Sequence, residues 1–419
     1  MSRSGAKRAL HLTRTMPNEG WHPVVLAAPP TDDATDANLS QAVPEAIQVY
    51  REYAGRRRQQ AAEHGEGKKE PPVRAKAKSG PLQRTWQRTK STLKLNAYFT
   101  PFDRYIWDYR SAVESGLRLI RQHQLEVIYA CGDPFTCFHV GQKLKSITGL
   151  PLVLDLRDPW SMHDGKMALR PSFTASAVRR IEKSFFSSAD KVILNTEACL
   201  ERHLAHYGSI LPKSRFTAIR NSYDPTLFKA MTPEPFGTFT ILYFGTLRRF
   251  VALDEFLAGF QIFLKSSNLG PGDIQLVVMG ELDDHSIDIA AHYGVEAYLT
   301  GRPAVSLTES MKYLKAADLL LLVIQNECTL QIPGKLYDYF ASGTPIFAVS
   351  SNDEANEMIH QSNAGISVDG RMPERVAEAM ADAYDRVKTN GFLDADTAAF
   401  TAQAAARKMA AVLNEVSGG

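Results

Sequence analysis

The sequence predicts an α/β chain of two successive halves, each built on a parallel sheet and joined by a linker. Three observations carry that prediction. Short apolar runs without polar alternation recur along the chain, and helical patterns of about 10–15 residues stand between them, as in βαβ units. The series stops at residues 221–236 (NSYDPTLFKAMTPEPF), rich in proline and turn formers, and restarts after it. In the second series the run DLLLLV at 318–323 leads through a loop into IPGKLYDYFASGTPI at 332–346, which reads as strand, loop and helix N-terminus.

In the first half, WHPVVLAAP at 21–29 is the first strand signal, LEVIYACG at 125–132 the second and LPLVLDLRDPW at 150–160 the third. KVILNT at 191–196 and FTAIRN at 216–221 are two more. Aliphatic runs of this kind fit strands buried on both faces. Helical patterns occupy 111–123, 138–148 and 175–188. In the second half FTILYFG at 239–245, DIQLVVMG at 273–280, VEAYLTG at 295–301, the 318–323 run and PIFAVS at 345–350 read as strands. Helices fall between them, among them 253–264 and 306–315, and an Ala-rich helix closes the chain at 397–416.

Composition excludes several classes. The chain is 44% hydrophobic and 22% charged, ordinary for a globular protein. Cys131, Cys137, Cys199 and Cys328 show no metal-ligand spacing and read as reduced, buried thiols of a cytoplasmic chain. No apolar run approaches the roughly 18 residues that span a bilayer. The N-terminus MSRSGAKRALHLTR lacks the apolar core of a signal peptide. No Ser/His/Asp triad, His-Glu-x-x-His or Walker loop stands in the sequence. The net charge of +2 hides an asymmetry: residues 56–94 hold twelve Lys/Arg against three Glu, +9, leaving the remainder at −7. Polar and nearly free of aliphatics, this segment is expected to be a mobile insert. An anionic membrane surface would attract it; with Trp86 its one aromatic, it suits nucleic acid poorly. A solvated insert is the simpler alternative.

The stretch at 332–346 carries the chemistry. Free N–H groups and the helix dipole meet behind Pro333-Gly334 and attract phosphate. Lys335 in the first turn opposes the dipole, which implies an anion nearby. Asp338, one turn on, offers a carboxylate to sugar hydroxyls. An ordinary βα unit is the alternative.

This stretch resembles the nucleotide-sugar site of the retaining GT-B glycosyltransferases of glycosyltransferase family 4. Asp338, Gly343 and Pro345 match the second half of their paired-acid signature, whereas the first acid falls on Leu330. A sub-branch with P-G-K-L-[YF]-[ED]-Y is the better match. The resemblance implies that Asp338 holds the donor ribose, while Lys335 and the helix N-terminus, with Gly334 and Leu336, hold the pyrophosphate. It covers nearly all of the chain: GAKRALHLTRTMPNEGWHPVVLAAP is similar to the family's opening, CGDPFTCFHVGQKLKSITGLPLVLDLRDPW to the centre of its first domain, and FGTLRRF and ASGTPIFAV to its second. Family members place a hydrophobic strand and a Gly-rich loop ahead of the first helix, where this chain has Ser4-Gly5. The first, central strand of the N-terminal domain is therefore expected to be missing, and its neighbours' edges exposed.

The expected domains are 1–233, an acceptor domain with the basic insert at 55–95; 234–395, a nucleotide-sugar domain; and 396–419, a helix packing back on the first. On the donor side Thr246, Arg248 and Arg249 follow one strand and Gly280 ends the next. Guanidiniums there suit bidentate phosphate contacts. Across the cleft, Arg157 and Asp158 are the catalytic candidates; a structural Arg–Asp pair is the alternative. Trp160, Gly132, Asp133, Ser4 and Gly5 are the acceptor candidates, and His139 reads as packed. The expected activity is hexosyl transfer with retention from a nucleotide sugar to a glycan or lipid-linked acceptor. It needs no metal or cofactor and no nucleic acid, and works in the cytoplasm, peripheral at the inner membrane face. A non-hydrolysing nucleotide-sugar epimerase and a non-catalytic GT-B scaffold are the rival readings.

Overall fold

The computed structural model describes residues 4–28, 42–51, 98–228, 232–245, 253–280, 282–392 and 394–418. The basic insert at 55–95 and Thr246, Arg248 and Arg249 lie outside the described residues.

The second half is a six-stranded parallel sheet in the order β12-β11-β10-β7-β8-β9. Its strands are β7 (Phe239–Phe244), β8 (Ile274–Met279), β9 (Leu299–Arg302), β10 (Leu319–Ile324), β11 (Ile346–Ser350) and β12 (Gly365–Val368). The absence of polar alternation has a direct cause. In β10, Leu319 and Leu321 face one hydrophobic core while Leu320 and Leu322 face another, and all four are fully buried. Burying such a side chain stabilises by about 1.5–3 kcal/mol. Helices α7 (Asp254–Ser267), α8 (Asp284–His292), α9 (Leu307–Ala316), α10 (Gly334–Ser342), α11 (Asp353–Gln361) and α12 (Pro373–Lys388) connect the strands.

In the first half, β3 (Ile128–Gly132), β4 (Leu152–Leu156), β5 (Lys191–Leu194) and β6 (Phe216–Ala218) pair in parallel in that order. A separate two-stranded parallel sheet pairs β1 (Val24–Leu26) with β2 (Gln48–Tyr50). Among the described residues no strand joins the two sheets. Helices α1 (Ser4–Thr15), α2 (Tyr109–His123), α3 (Thr136–Thr148), α4 (Asp164–Ala168), α5 (Ser172–Ser188) and α6 (Glu197–Tyr207) surround them. The last helix, α13 (Ala402–Ser417), returns from the second half: Ala406, Met409 and Leu413 share a core with Leu12 of α1, Met16 of the 3-10 turn after it, Val153 of β4 and Ile193 of β5.

Boundaries shift where local signals compete. The strand expected over 21–29 shrinks to β1, and the one over 295–301 starts at Leu299 because Glu296–Tyr298 form a 3-10 turn. The short strands β2 and β12, the latter opening on a glycine, carry too little pattern to stand out. His139 is packed as expected, its ring beside those of Phe102, Tyr109 and Phe185. All four cysteines are free, but only Cys199 is fully buried.

Candidate functional site

Strand order locates the site. From β7 the chain runs outward through β8 and β9, then crosses to β10 and runs the other way. The crevice beyond the carboxyl ends of β7 and β10 is thus a topological switch point, where ligands bind in open α/β sheets. The two strands pair only through Ile241–Leu319 and Leu242–Leu320. Further up, the Tyr339 hydroxyl stands between them, accepting from Phe244 N at 3.1 Å and donating to Leu321 O at 3.1 Å. This ties α10 to the sheet with its first turn at the crevice. Pro333 precedes that turn with φ −58°, and no side chain caps it.

Lys335 is built into the crevice. Its Nζ donates to Tyr243 Oη at 2.6 Å and sits 3.9 Å from the centre of that ring. Burial pulls its pKa down to about 8, against the opposing pull of Asp338. Gly245 follows β7 with φ +133°, and a Cβ there would meet Lys335 Nζ at 2.6 Å. The backbone conformation therefore calls for glycine, and any side chain there would push the end of the lysine aside. Asp338 is buried, 7% exposed, and both its oxygens accept from Lys7 Nζ of α1, at 2.8 and 2.7 Å. The acid expected near an open helix start is thus already paired, and with a residue of the other half. Leu336 is fully buried in the core, and its N–H donates to Pro333 O at 3.0 Å, so neither side chain nor amide faces a ligand. Gly334 opens the turn, and Gly280 follows β8, on the far side of β7.

The opposing half presents its own strand ends. Arg8 beside Lys7 holds Asp155 in a buried bidentate pair, Nε to Oδ2 at 2.7 Å and Nη2 to Oδ1 at 3.0 Å, and donates to Arg220 O at 3.0 Å. That pins α1 to β4 and aims Lys7 across the cleft. Arg157 and Asp158 do not pair with each other among the described residues. Arg157 donates through N and Nε to Gly132 O, at 2.9 and 3.2 Å, while Asp158 accepts from Gln331 Nε2 of the second half. Asp133 is exposed at the cleft, and its carboxyl is shifted up first by partial desolvation and then by nearby Asp103. Trp160 offers no open platform: it is 7% exposed and stacked on Phe135 with ring centroids 4.5 Å apart. Ser4 and Gly5 form the start of α1.

Two further contacts complete the seam. Thr196 Oγ1 donates to Leu330 O at 2.9 Å. Glu354 of α11 accepts from Glu197 N (3.0 Å) and Ala198 N (3.1 Å), the first amides of α6, and from Arg220 Nε at 2.6 Å. A carboxylate at a helix N-terminus complements its dipole. Lys7, Arg8, Tyr243 and Glu354 escaped sequence reasoning. The one available signal was Asp155, a lone acid inside the apolar run LVLDL that demands a buried partner. Among the described residues no group of three or more His, Cys, Asp or Glu could hold a metal ion. No helix there is long and apolar enough to cross a membrane.

Two Rossmann-like sheets whose strand ends meet across a seam define the GT-B architecture. Comparison with known proteins agrees. The family model for Glycosyltransferase Family 4 matches residues 73–227, and that for Glycosyl transferases group 1 matches 238–386, one in each half. A D-inositol 3-phosphate glycosyltransferase of Paenarthrobacter aurescens (strain TC1) is 25% identical over 272 residues, 59% of this chain and 62% of that protein. Sucrose-phosphate synthase from Thermosynechococcus elongatus superimposes with a TM-score of 0.62 at 14% identity, covering 97% of this chain and 91% of its own. The Anabaena protein HepE, solved with UDP and glucose, gives 0.59 at 13% identity, covering 98% and 96%. At these identities the structures establish the fold. The chain belongs to the GT-B glycosyltransferases of family 4.

Proposed function

We propose that this chain transfers a hexose from a nucleoside-diphosphate sugar to an acceptor hydroxyl, with retention and without a metal. The acceptor is a lipid-linked or surface-polysaccharide intermediate at the inner membrane face. The single observation that carries the donor reading is the crevice at the switch point. There an uncapped helix start, a cation held in place by Tyr243 and Gly245, and a buried carboxylate stand within one helical turn. That set matches a nucleoside diphosphate: amides and Lys335 for the pyrophosphate, Asp338 for the ribose hydroxyls. Charge developing on the leaving diphosphate is stabilised by groups already oriented toward it. In this reading Arg248 and Arg249 add positive charge after β7, Thr246 adds a hydroxyl, and Gly280 borders the base. Arg157 and Asp158 sit opposite the sugar, with Asp133 and Gly132 toward the acceptor. HepE with bound UDP is a structural relative consistent with such a donor.

Calorimetric titration with UDP, GDP and ADP tests this. One of them is expected to bind below millimolar Kd, and no binding by any removes the donor reading. A non-catalytic scaffold is the second reading, favoured by Leu330: where the family has an acid, this residue packs on the first-half core. Transfer activity with intact nucleotide binding rejects it. Donor isomerised without acceptor would instead favour epimerisation.

A further inference from the structure

The first half carries an exposed surface that the donor and acceptor crevice leaves unused. Phe99, Leu169 and Phe173 are 56%, 63% and 66% exposed. They come from two chain segments held together by hydrogen bonds: Arg170 Nη1 donates to Thr100 O at 2.8 Å, and Thr174 Oγ1 to Phe99 O at 3.4 Å. Phe173 lies in the first turn of α5. The solvent face of that helix continues with Arg179, Arg180 and Lys183, all exposed and in no ion pair among the described residues. The helix has one acid, Glu182. It points inward, fully buried, where it accepts from Ser161 N at 3.0 Å and Tyr207 Oη at 2.7 Å. Large apolar side chains at one end of a helix and unopposed cations along it form an amphipathic surface that suits the boundary of an anionic bilayer.

Two features favour lipid over a protein partner. The first is charge. Lys166 of α4 adds another exposed cation, while the exposed Asp164 is already paired with Arg202 at 3.3 Å. The chain entering Tyr98 carries Arg84, Arg88, Lys90 and Lys94 without an acid among them. The second is position. Leu169 and Phe173 follow directly on the segment that leaves the cleft end of β4 through Arg157 and Trp160, and Asp103, beside Phe102, accepts from Thr136 N at 2.8 Å where α3 leaves the cleft end of β3.

We infer that Phe99, Leu169, Phe173 and the Arg179/Arg180/Lys183 face of α5 form a docking surface for an anionic lipid bilayer. This deepens the reading above, on which a membrane-borne acceptor depends, by assigning the residues that bring the acceptor side of the cleft to the lipid.

The test is flotation of the full chain with phosphatidylcholine vesicles, with and without phosphatidylglycerol. Wild type is expected to float with the phosphatidylglycerol vesicles and to lose that binding in high salt. Replacing Phe99, Leu169 and Phe173 together by Ser is expected to lower partitioning at least tenfold, since inserted apolar area is lost. Replacing Arg179, Arg180 and Lys183 by Gln is expected to lower it roughly 100-fold, at about fivefold for each cation near the surface. All six side chains are exposed, so urea midpoints should match wild type. A wild-type chain that stays in solution with anionic vesicles overturns the proposal, even if it binds another protein. So does a Ser variant that floats as well as wild type, because the basic residues before Tyr98 would then suffice. Calorimetry with UDP, GDP and ADP on the same chain reads the donor site separately; absent nucleotide binding with intact flotation would remove the donor reading and leave this surface standing.

Discussion

At the level of single residues, Lys335 sets a pH dependence that can be measured. Its pKa lies near 8 because burial disfavours the ammonium. A bound diphosphate favours the charged form, so nucleotide affinity should hold below pH 8 and fall by up to tenfold per pH unit above it. Calorimetry from pH 7 to 9.5 checks the slope. Lys335→Arg should abolish the slope, since guanidinium stays charged, and Lys335→Ala should weaken binding by about 1.5–3 kcal/mol at pH 7. Asp338→Asn should lower nucleotide affinity roughly 10- to 100-fold, and Asp338→Glu should lower it less. Lys335 and Asp338 were legible in the sequence because a helix start, a cation and an acid lie within five consecutive residues. Tyr243 and Lys7 were not, because they stand 92 and 331 residues from their partners. Only the folded sheet order brings them together.

At the level of elements, α1 and α6 depend on contacts that leave little trace in local patterns. Within α1, His11 is buried with Nδ1 unpartnered, and burial pulls its pKa to about 4. Between pH 6.5 and 4 the unfolded chain takes up a proton that the folded chain does not. Stability should therefore be lost as pH falls through that window, by on the order of 3 kcal/mol. Urea midpoints across the window check this, and His11→Met should flatten that limb. On α6, Glu354→Ala removes the acceptor for two helix amides and for Arg220. It should cost about 2 kcal/mol, more than Arg220→Ala, after which the carboxylate still serves the amides. The central strands were legible because both their faces are buried and nearly every position is apolar. Their order, which creates the crevice, was not, since no strand names its neighbour.

At the level of the whole molecule, the two halves meet through polar contacts close to the candidate donor site: Lys7 to Asp338, Gln331 to Asp158, Thr196 to Leu330 and Glu354 to α6. On the proposed donor reading, closure and nucleotide binding are expected to be coupled. Lys7 donates to both oxygens of the carboxylate assigned to the ribose, and the pair is almost shielded from water, with side-chain exposures of 16% and 9%. Incoming hydroxyls meet an acid that is already satisfied, and part of their gain is cancelled by what Lys7 gives up. Lys7→Met keeps the length and apolar stem of the side chain but removes its donors. In the unliganded chain it leaves the acid buried without its partner, which should lower stability by about 1–3 kcal/mol. In the nucleotide complex the ribose satisfies the same acid, so the bound state should lose less. The difference must appear as tighter binding. Lys7→Met should raise nucleotide affinity severalfold by calorimetry while lowering the urea midpoint of the free chain. It should also loosen the closed arrangement, so that small-angle scattering gives a larger radius of gyration without nucleotide that returns to the wild-type value on saturation. Affinity that falls instead would make Lys7 a ligand of the diphosphate rather than a competitor for Asp338.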